Sequence, residues 1–226
     1  MITFNIVTLF PELFEPFLNT LPLKRGIEKG VLKVNLIQLR DFAVDKRGTV
    51  DGKSYGGGVG MLLRIEPVWK AIEYIYGTSV EEAQKNKENS IAALSPSGKK
   101  FTQKTAIRLT KKSSVTLICG RYEGMDARIT DHLATDVISM GDFVLSGGEL
   151  PALAIMESVV RLLPGILEKE EATNLDSFMP KIGGKKEYPQ YTRPEEYRGL
   201  KVPEVLLSGD HGKVARWRKN ERQEPH

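Results

Sequence analysis

The stretch Ser114-Val115-Thr116-Leu117-Ile118-Cys119-Gly120-Arg121-Tyr122-Glu123-Gly124 decides the fold. Its first half is a short, mainly apolar run of strand length that looks like a buried strand. Its second half passes at once into glycine and polar residues. Ligands in open α/β sheets bind outside strand ends of this kind. Working outward, Ser90-Ile91-Ala92-Ala93-Leu94 reads as a second buried strand, with a basic helix between the two. Ile2 to Leu9 reads as a strand, Val31 to Leu39 as another, and a further strand is expected near Val137 and Ile138. Helices are expected from Pro11 to about Gly30, from Glu66 to Tyr76, briefly after Glu123, and from Glu149 to Leu163. Gly77 to Asn89 is polar and charged and reads as an exposed loop. Strands and helices alternating at this spacing predict α/β with a mainly parallel sheet.

Composition agrees with that reading. The chain has 226 residues, 40% apolar and 27% charged, which is ordinary for a globular protein and excludes collagen-like and disordered classes. One cysteine, Cys119, rules out an intramolecular disulfide framework and a cysteine-rich zinc site. It sits in an apolar run and reads as a small core residue. His132, His211 and His226 are too scattered for ligand spacing, so no metal site is predicted. The apolar stretch Leu150 to Leu163 is too short to span a bilayer and carries Glu157 and Arg161. Met1 to Asn5 reads straight into a strand rather than a basic leader, so a soluble cytoplasmic protein is expected.

The net charge of +4 hides a segregation. Ser95 to Tyr122 holds seven basic residues and no acidic one, whereas Glu123 to Glu149 holds six acidic residues against Arg128 alone. Such blocks suit either a solvated lysine-rich helix face or a surface turned toward a polyanion. Gly52 to Gly60 contains five glycines in nine residues but closes on no Gly-Lys-Ser/Thr and lacks dinucleotide-fingerprint spacing. It is a flexible loop or a place where backbone approaches a ligand closely. Three segments offer small residues and free backbone groups at strand ends: Leu94-Ser95-Pro96, Gly120 to Gly124, and Met140 to Glu149. Together they suit an adenosine-sized ligand better than a metal. Past Glu168 the chain becomes charged and rich in proline and glycine, as in a linker opening a second small unit. That unit ends in Lys213-Val214-Ala215-Arg216-Trp217-Arg218-Lys219.

These segments occur in one order with Leu9-Phe10-Pro11-Glu12-Leu13-Phe14, Arg40-Asp41-Phe42, Tyr55-Gly56-Gly57-Gly58-Val59-Gly60-Met61, Asp176-Ser177-Phe178, Tyr191-Thr192-Arg193-Pro194 and Val202-Pro203. The block Gly141-Asp142-Phe143-Val144-Leu145-Ser146-Gly147-Gly148-Glu149-Leu150-Pro151 is the most specific of them. Over nearly its whole length the chain closely resembles the bacterial tRNA (guanine-N1-)-methyltransferases of the TrmD family.

The resemblance implies a SPOUT-type fold: a mainly parallel sheet with a deep trefoil knot, a small, mostly helical C-terminal domain, and a homodimer with its active site at the subunit interface. The implied divisions are a knotted catalytic domain over 1–167, a linker over 168–176 and a short tRNA-binding domain over 177–226. A dimer interface would account for the nearly all-apolar helix from Glu149. The implied activity is methyl transfer from S-adenosylmethionine to N1 of guanosine at tRNA position 37, just 3′ of the anticodon. Residues matching the family's cofactor pocket are Leu94, Ser95, Pro96, Gly120, Tyr122, Glu123, Gly124, Met140, Gly141, Asp142, Phe143, Val144, Leu145, Gly147 and Gly148.

Asp176 matches the family's general base and Arg161 the group that stabilises charge on O6. From the residues alone, Asp176 reads equally as a turn side chain, and Arg161 as an ordinary helix partner of Glu157. Asp51, Tyr55 and Gly60 match positions near the target base, and Ser208, Gly209, His211, Arg216, Trp217 and Arg218 fall in the implied tRNA-binding unit. The family's reported dependence on Mg²⁺ comes with no metal site that can be named. Two further readings stay open: a knotted RNA methyltransferase with another nucleoside target, and an RNA-binding module without catalysis.

Overall fold

The computed structural model describes residues 1–167 and 170–224. The chain divides into two compact units, Met1–Leu167 and Glu168–His226. Glu168, Lys169 and His226, which the sequence reading assigned to a linker and to a scattered histidine, lie outside the described residues.

The first unit opens with β1 (Ile2–Thr8), the short helices α1 (Glu15–Leu18) and α2 (Leu23–Glu28), and β2 (Leu32–Gln38). Two two-residue strands, β3 (Asp51–Gly52) and β4 (Leu62–Leu63), then precede α3 (Ile65–Tyr76) and α4 (Val80–Lys85). The unit continues through β5 (Asn89–Lys100), α5 (Gln103–Leu109), β6 (Ser114–Cys119), β7 (Asp136–Ser139) and α6 (Glu149–Val160). Five strands form one sheet in the order β2-β1-β6-β5-β7, with every neighbouring pair parallel. The expected mainly parallel α/β architecture is therefore present. Successive residues of β6 serve opposite faces: Leu117 joins a core with α6, and Ile118 joins a second core with α3. Both faces are thus covered, so even Thr116 is fully buried.

Several element readings are corrected. The expected helix from Pro11 to Gly30 is a turn at Pro11–Leu13 followed by α1 and α2. Pro16 and Pro22 lack backbone N–H groups, and the residue before a proline disfavours helical backbone, so the run breaks near Leu21. The expected exposed loop Gly77 to Asn89 contains α4. Ser79 caps it by accepting from Glu82 N, while Val80 and Ala83 are buried. The short helix after Glu123 is a single wide turn at Ile129–Leu133, closed by Ala134 N donating to Ile129 O at 2.8 Å.

The strand expected to stop at Leu94 continues to Lys100 after a register shift between Leu94 and Lys99. Gly98 is required there, because a Cβ would lie 2.6 Å from the Val137 carbonyl and the Ile138 nitrogen. The helix from Glu149 ends at Val160 rather than Leu163, with Pro164 close behind. The two charge blocks meet one another. Arg108 makes a two-pronged pair with Asp136 at 2.9 and 3.1 Å, and Lys100 lies 2.6 Å from Asp142.

The second unit contains α7 (Glu170–Leu175), a hairpin of β8 (Glu196–Tyr197) and β9 (Leu200–Lys201), α8 (Glu204–Leu207) and α9 (His211–Asn220). Ile182 is its buried apolar residue among those described. Among the described residues, no helix is long and apolar enough to cross a membrane.

Candidate functional site

Strands β6, β5 and β7 are parallel neighbours, so the segments after β6 and β7 and the irregular stretch of β5 after Leu94, which was expected as a strand end and lies inside the longer strand, converge on one edge of the sheet. They line an open cleft with a cavity volume of about 120 Å³. Every residue expected in a cofactor pocket lines it except Gly141 and Asp142. Those two belong to the same loop. The Asp142 carboxylate is turned to Lys100, and a Cβ on Gly141 would lie 2.7 Å from the Phe143 ring. The lining also includes Arg121, Met125, Ile138, Ser139, Ser146 and Pro151, which the sequence reading did not assign.

The walls have two characters. Leu94, Pro96, Ile138, Met140, Val144 and Leu145 supply apolar surface, with Val144 81% exposed at the rim. The Gly120–Gly124 and Gly147–Gly148 segments supply backbone polar groups. Tyr122 adopts a left-handed conformation, φ 61°, which is costly for a residue with a Cβ and is held by its surroundings. Ser139 fixes the start of the third segment by accepting from Gly141 N at 3.2 Å. Among the described residues no three His, Cys, Asp or Glu side chains stand together as a metal site.

An ion pair joins the wall to the interior, its arginine in the lining and its carboxylate buried. Arg121 approaches Glu149 at 2.9 Å, and the other Glu149 oxygen accepts from the Thr8 hydroxyl at 2.8 Å. The Arg121 guanidinium also stacks over the Phe10 ring at 4.4 Å. Gly147 is dictated by this pair, since its Cβ would fall 2.3 Å from Arg121 Nε and 2.5 Å from Glu149 Oε2. Cys119 is buried beside them. Burial first, and the Glu149 charge next, push its thiol well above the ordinary range, so it stays a protonated core residue. Sequence reading counted Arg121 as one more charge of the basic block. Its position inside the Gly120–Gly124 motif was the available signal.

The glycine-rich loop reaches the same cleft. Asp51 and Gly52 in β3 pair with Leu63 and Leu62 in β4, which sets the loop between them as the tip of a hairpin. Tyr55 and Val59 at that tip are 101% and 91% exposed, so neither serves the core. The far end of the loop is stitched to the cleft wall. Glu123 N donates to Met61 O at 3.1 Å, Leu63 N to Gly124 O at 3.0 Å and Asp126 N to Leu63 O at 2.9 Å. Gly60, with φ 81°, packs so closely on Glu123 that a Cβ would lie 2.3 Å from the glutamate Cγ. An exposed, glycine-rich tip therefore adjoins the cleft.

Arg161 caps the C-terminal end of α6 in the first unit, its N–H donating to Glu157 O at 3.0 Å. Asp176 follows α7 in the second unit, and its carbonyl accepts from Met179 N at 3.2 Å. Ser208, Gly209 and Asp210 form the turn into α9, and Asp210 caps that helix by accepting from Lys213 N at 2.9 Å. His211 begins α9 and Arg216 projects from it exposed. Trp217 is half-buried near Tyr188 and Tyr191, ring centres 6.3 and 6.4 Å away, while Arg218 covers the Tyr188 ring at 5.1 Å. Trp217 thus anchors α9 as well as standing on its basic face.

The family model described as tRNA (Guanine-1)-methyltransferase TrmD matches residues 2–225. Curated relatives named tRNA (guanine-N(1)-)-methyltransferase are similar over almost the whole chain. The Geobacillus kaustophilus protein is 48% identical over 217 residues, covering 96% of this chain and 85% of the relative. The Bacillus subtilis protein is also 48% identical over 217 residues, with 96% and 86% covered. The Clostridioides difficile protein is 44% identical over 219 residues, with 96% and 91% covered.

Proposed function

The chain belongs to the tRNA (guanine-1)-methyltransferase family TrmD, and from that premise we propose that it methylates N1 of guanosine at tRNA position 37. The observation that carries this reading is the contact of Gly60 with Glu123, which joins an exposed hairpin tip to the wall of the cleft.

S-adenosylmethionine fits the cleft on chemical grounds. Leu94, Pro96, Val144 and Leu145 offer apolar surface to a flat base, and the glycine segments offer backbone donors and acceptors to polar edges. Gly141 and Asp142 shape the loop from outside the lining. When bound, S-adenosylmethionine supplies an electrophilic methyl group.

The chain's own residues do the rest. Guanine N1 carries a proton and is a poor nucleophile until that proton leaves, so a base must reach it. Asp176 takes that role, its carboxylate accepting the N1 proton. Negative charge then grows on O6, where the Arg161 guanidinium stabilises it. No covalent enzyme intermediate is needed. Asp51, Tyr55 and Gly60 meet the target nucleotide, which must leave its stack at a cost of a few kcal/mol, least in a single-stranded loop. Ser208, Gly209, His211, Arg216, Trp217 and Arg218 hold the tRNA, with the cations on phosphates that position without reading sequence. No step is assigned to Mg²⁺.

A SPOUT-type trefoil knot and a homodimer belong to the same reading. Support for the dimer comes from an apolar groove lined by Phe17, Leu21, Leu23, Leu150 and Leu153, in which Leu21 and Leu150 are 70% and 61% exposed. Exposed apolar surface of this extent marks a contact with another surface. A tRNA substrate assigns the protein to the cytoplasm. Mass-spectrometric mapping of nucleosides after incubation with tRNA and S-adenosylmethionine tests the activity. N1-methylguanosine is expected, and any other methylated nucleoside overturns the assignment.

A further inference from the structure

Glu149 is the one carboxylate among the buried described residues, 2% exposed, and the chemistry above does not use it. Its two oxygens are committed to different parts of the chain. One accepts from Thr8 at the end of β1, and the other meets Arg121 in the wall of the cleft. Thr8 Oγ1 in turn accepts from Phe10 N at 3.0 Å, and Arg121 lies over the Phe10 ring. The end of β1, the segment after β6 and the first turn of α6 thus meet on one carboxylate. A second tie runs parallel to it, Gly148 N donating to Gly120 O at 2.9 Å.

We propose that Glu149 is a positioning residue for methyl-donor binding: by holding Arg121 against Thr8 and Phe10, it fixes the Gly120–Gly124 wall in its binding conformation. The proposal rests on the assignment of S-adenosylmethionine to this cleft. A charge pair with one partner buried is a poor device for stability alone, because well-packed apolar residues commonly replace such pairs without loss. This pair instead immobilises the segment that carries Tyr122, the strained residue of the wall. Strain of that kind persists only where the surroundings over-determine it. Gly147 gives up its Cβ position to the same two side chains.

The full-length chain and its Glu149→Gln, Arg121→Gln and doubly substituted variants are titrated with S-adenosylmethionine by calorimetry, followed by steady-state kinetics on tRNA. Each single change is expected to weaken cofactor affinity by about tenfold or more, as loss of one member of a charge pair that leaves the Glu149 site uncompensated implies. The KM for S-adenosylmethionine rises with it while the KM for tRNA holds, a split that general loosening of the fold would not give. The double variant binds no worse than the weaker single, because both changes remove one tie. An unsubstituted chain that fails to bind S-adenosylmethionine overturns the cleft's assignment, and this proposal with it. A chain that binds normally while Glu149→Gln binds equally well overturns the positioning role alone, as does multiplication of the two single effects. Should Glu149→Gln not fold, Thr8→Val and Arg121→Gln carry the comparison: weakened binding in both supports the role, and unchanged affinity in both overturns it.

Discussion

The backbone N–H of Gly148 donates to the carbonyl of Gly120 at 2.9 Å, so the first turn of α6 is closed directly onto the end of β6. The approach is possible only because residue 148 has no side chain: a Cβ there would lie 2.6 Å from the Cys119 Cα and 3.0 Å from the Gly120 nitrogen. Two of the three segments that frame the cleft are thereby locked at backbone level.

Gly148→Ala must therefore push α6 away from β6. Overpacking against atoms that cannot rotate aside costs about 1–3 kcal/mol, and the backbone partners here put the change at the upper end. Thermal unfolding should show a loss of several degrees, with S-adenosylmethionine binding reduced in parallel. Unchanged stability would mean that the segments can separate freely.

Tyr55 is fully exposed at the hairpin tip and contributes nothing to the core. Tyr55→Ala should leave the melting temperature unchanged and raise the KM for tRNA, since stacking of a base on an aromatic ring is worth about 1–3 kcal/mol. Cofactor affinity measured by calorimetry should not move. A fall in stability would show that the tip packs elsewhere.

Asp126 accepts from Arg128 side-chain donors at 2.9 and 2.7 Å, and this pairing, outweighing burial, holds its carboxyl below the ordinary value of 3.8. A carboxyl lowered in the folded chain adds stability that is fully present above the unfolded value and is lost as pH falls through the folded one. Asp126→Asn should therefore lower stability slightly at neutral pH, the loss kept small because Arg128 is exposed to solvent, and should flatten the acid limb so that the two proteins converge below about pH 4. An acid limb identical in both proteins would remove the pair from the account.

Arg216 stands exposed on α9, near the basic residues Lys213 and Arg218. If it contacts a phosphate, Arg216→Ala should weaken tRNA binding and reduce the slope of log affinity against log salt by roughly 0.7–0.9. A slope that does not change would place Arg216 off the RNA path.

The sheet was legible because its strands are apolar runs of strand length with glycine or polar residues at their ends. Ile2–Thr8 and Ser114–Cys119 fall where hydrophobicity alone puts them. The segment carrying α4 was lost to its charge, although Ser79 followed by Glu82 is a capping-box spacing. The strand order was not legible, because pairing of β1 with β6 joins residues more than a hundred positions apart and rests on long-range packing. The same holds for the cleft. Its segments were visible as motifs, but the tie from Glu149 to Thr8 and Arg121 spans β1, β6 and α6 and has no local signature. The junction of Gly60 with Glu123 is hidden in the same way, since the two residues meet only through the pairing of β4 with the Gly120–Asp126 segment.

Asp176→Ala separates chemistry from binding. If Asp176 is the base, the variant should bind S-adenosylmethionine and tRNA with affinities close to those of the unsubstituted chain, yet transfer no methyl group in a single-turnover assay. Turnover near the original rate would remove Asp176 from that role.

Transfer of labelled methyl from S-adenosylmethionine to two tRNA transcripts that differ only at position 37 tests guanosine-37 methylation most directly. The guanosine-37 transcript should be labelled to about one methyl per molecule, with the label recovered as N1-methylguanosine, and the adenosine-37 transcript should remain unlabelled. Equal labelling of the two transcripts would contradict it.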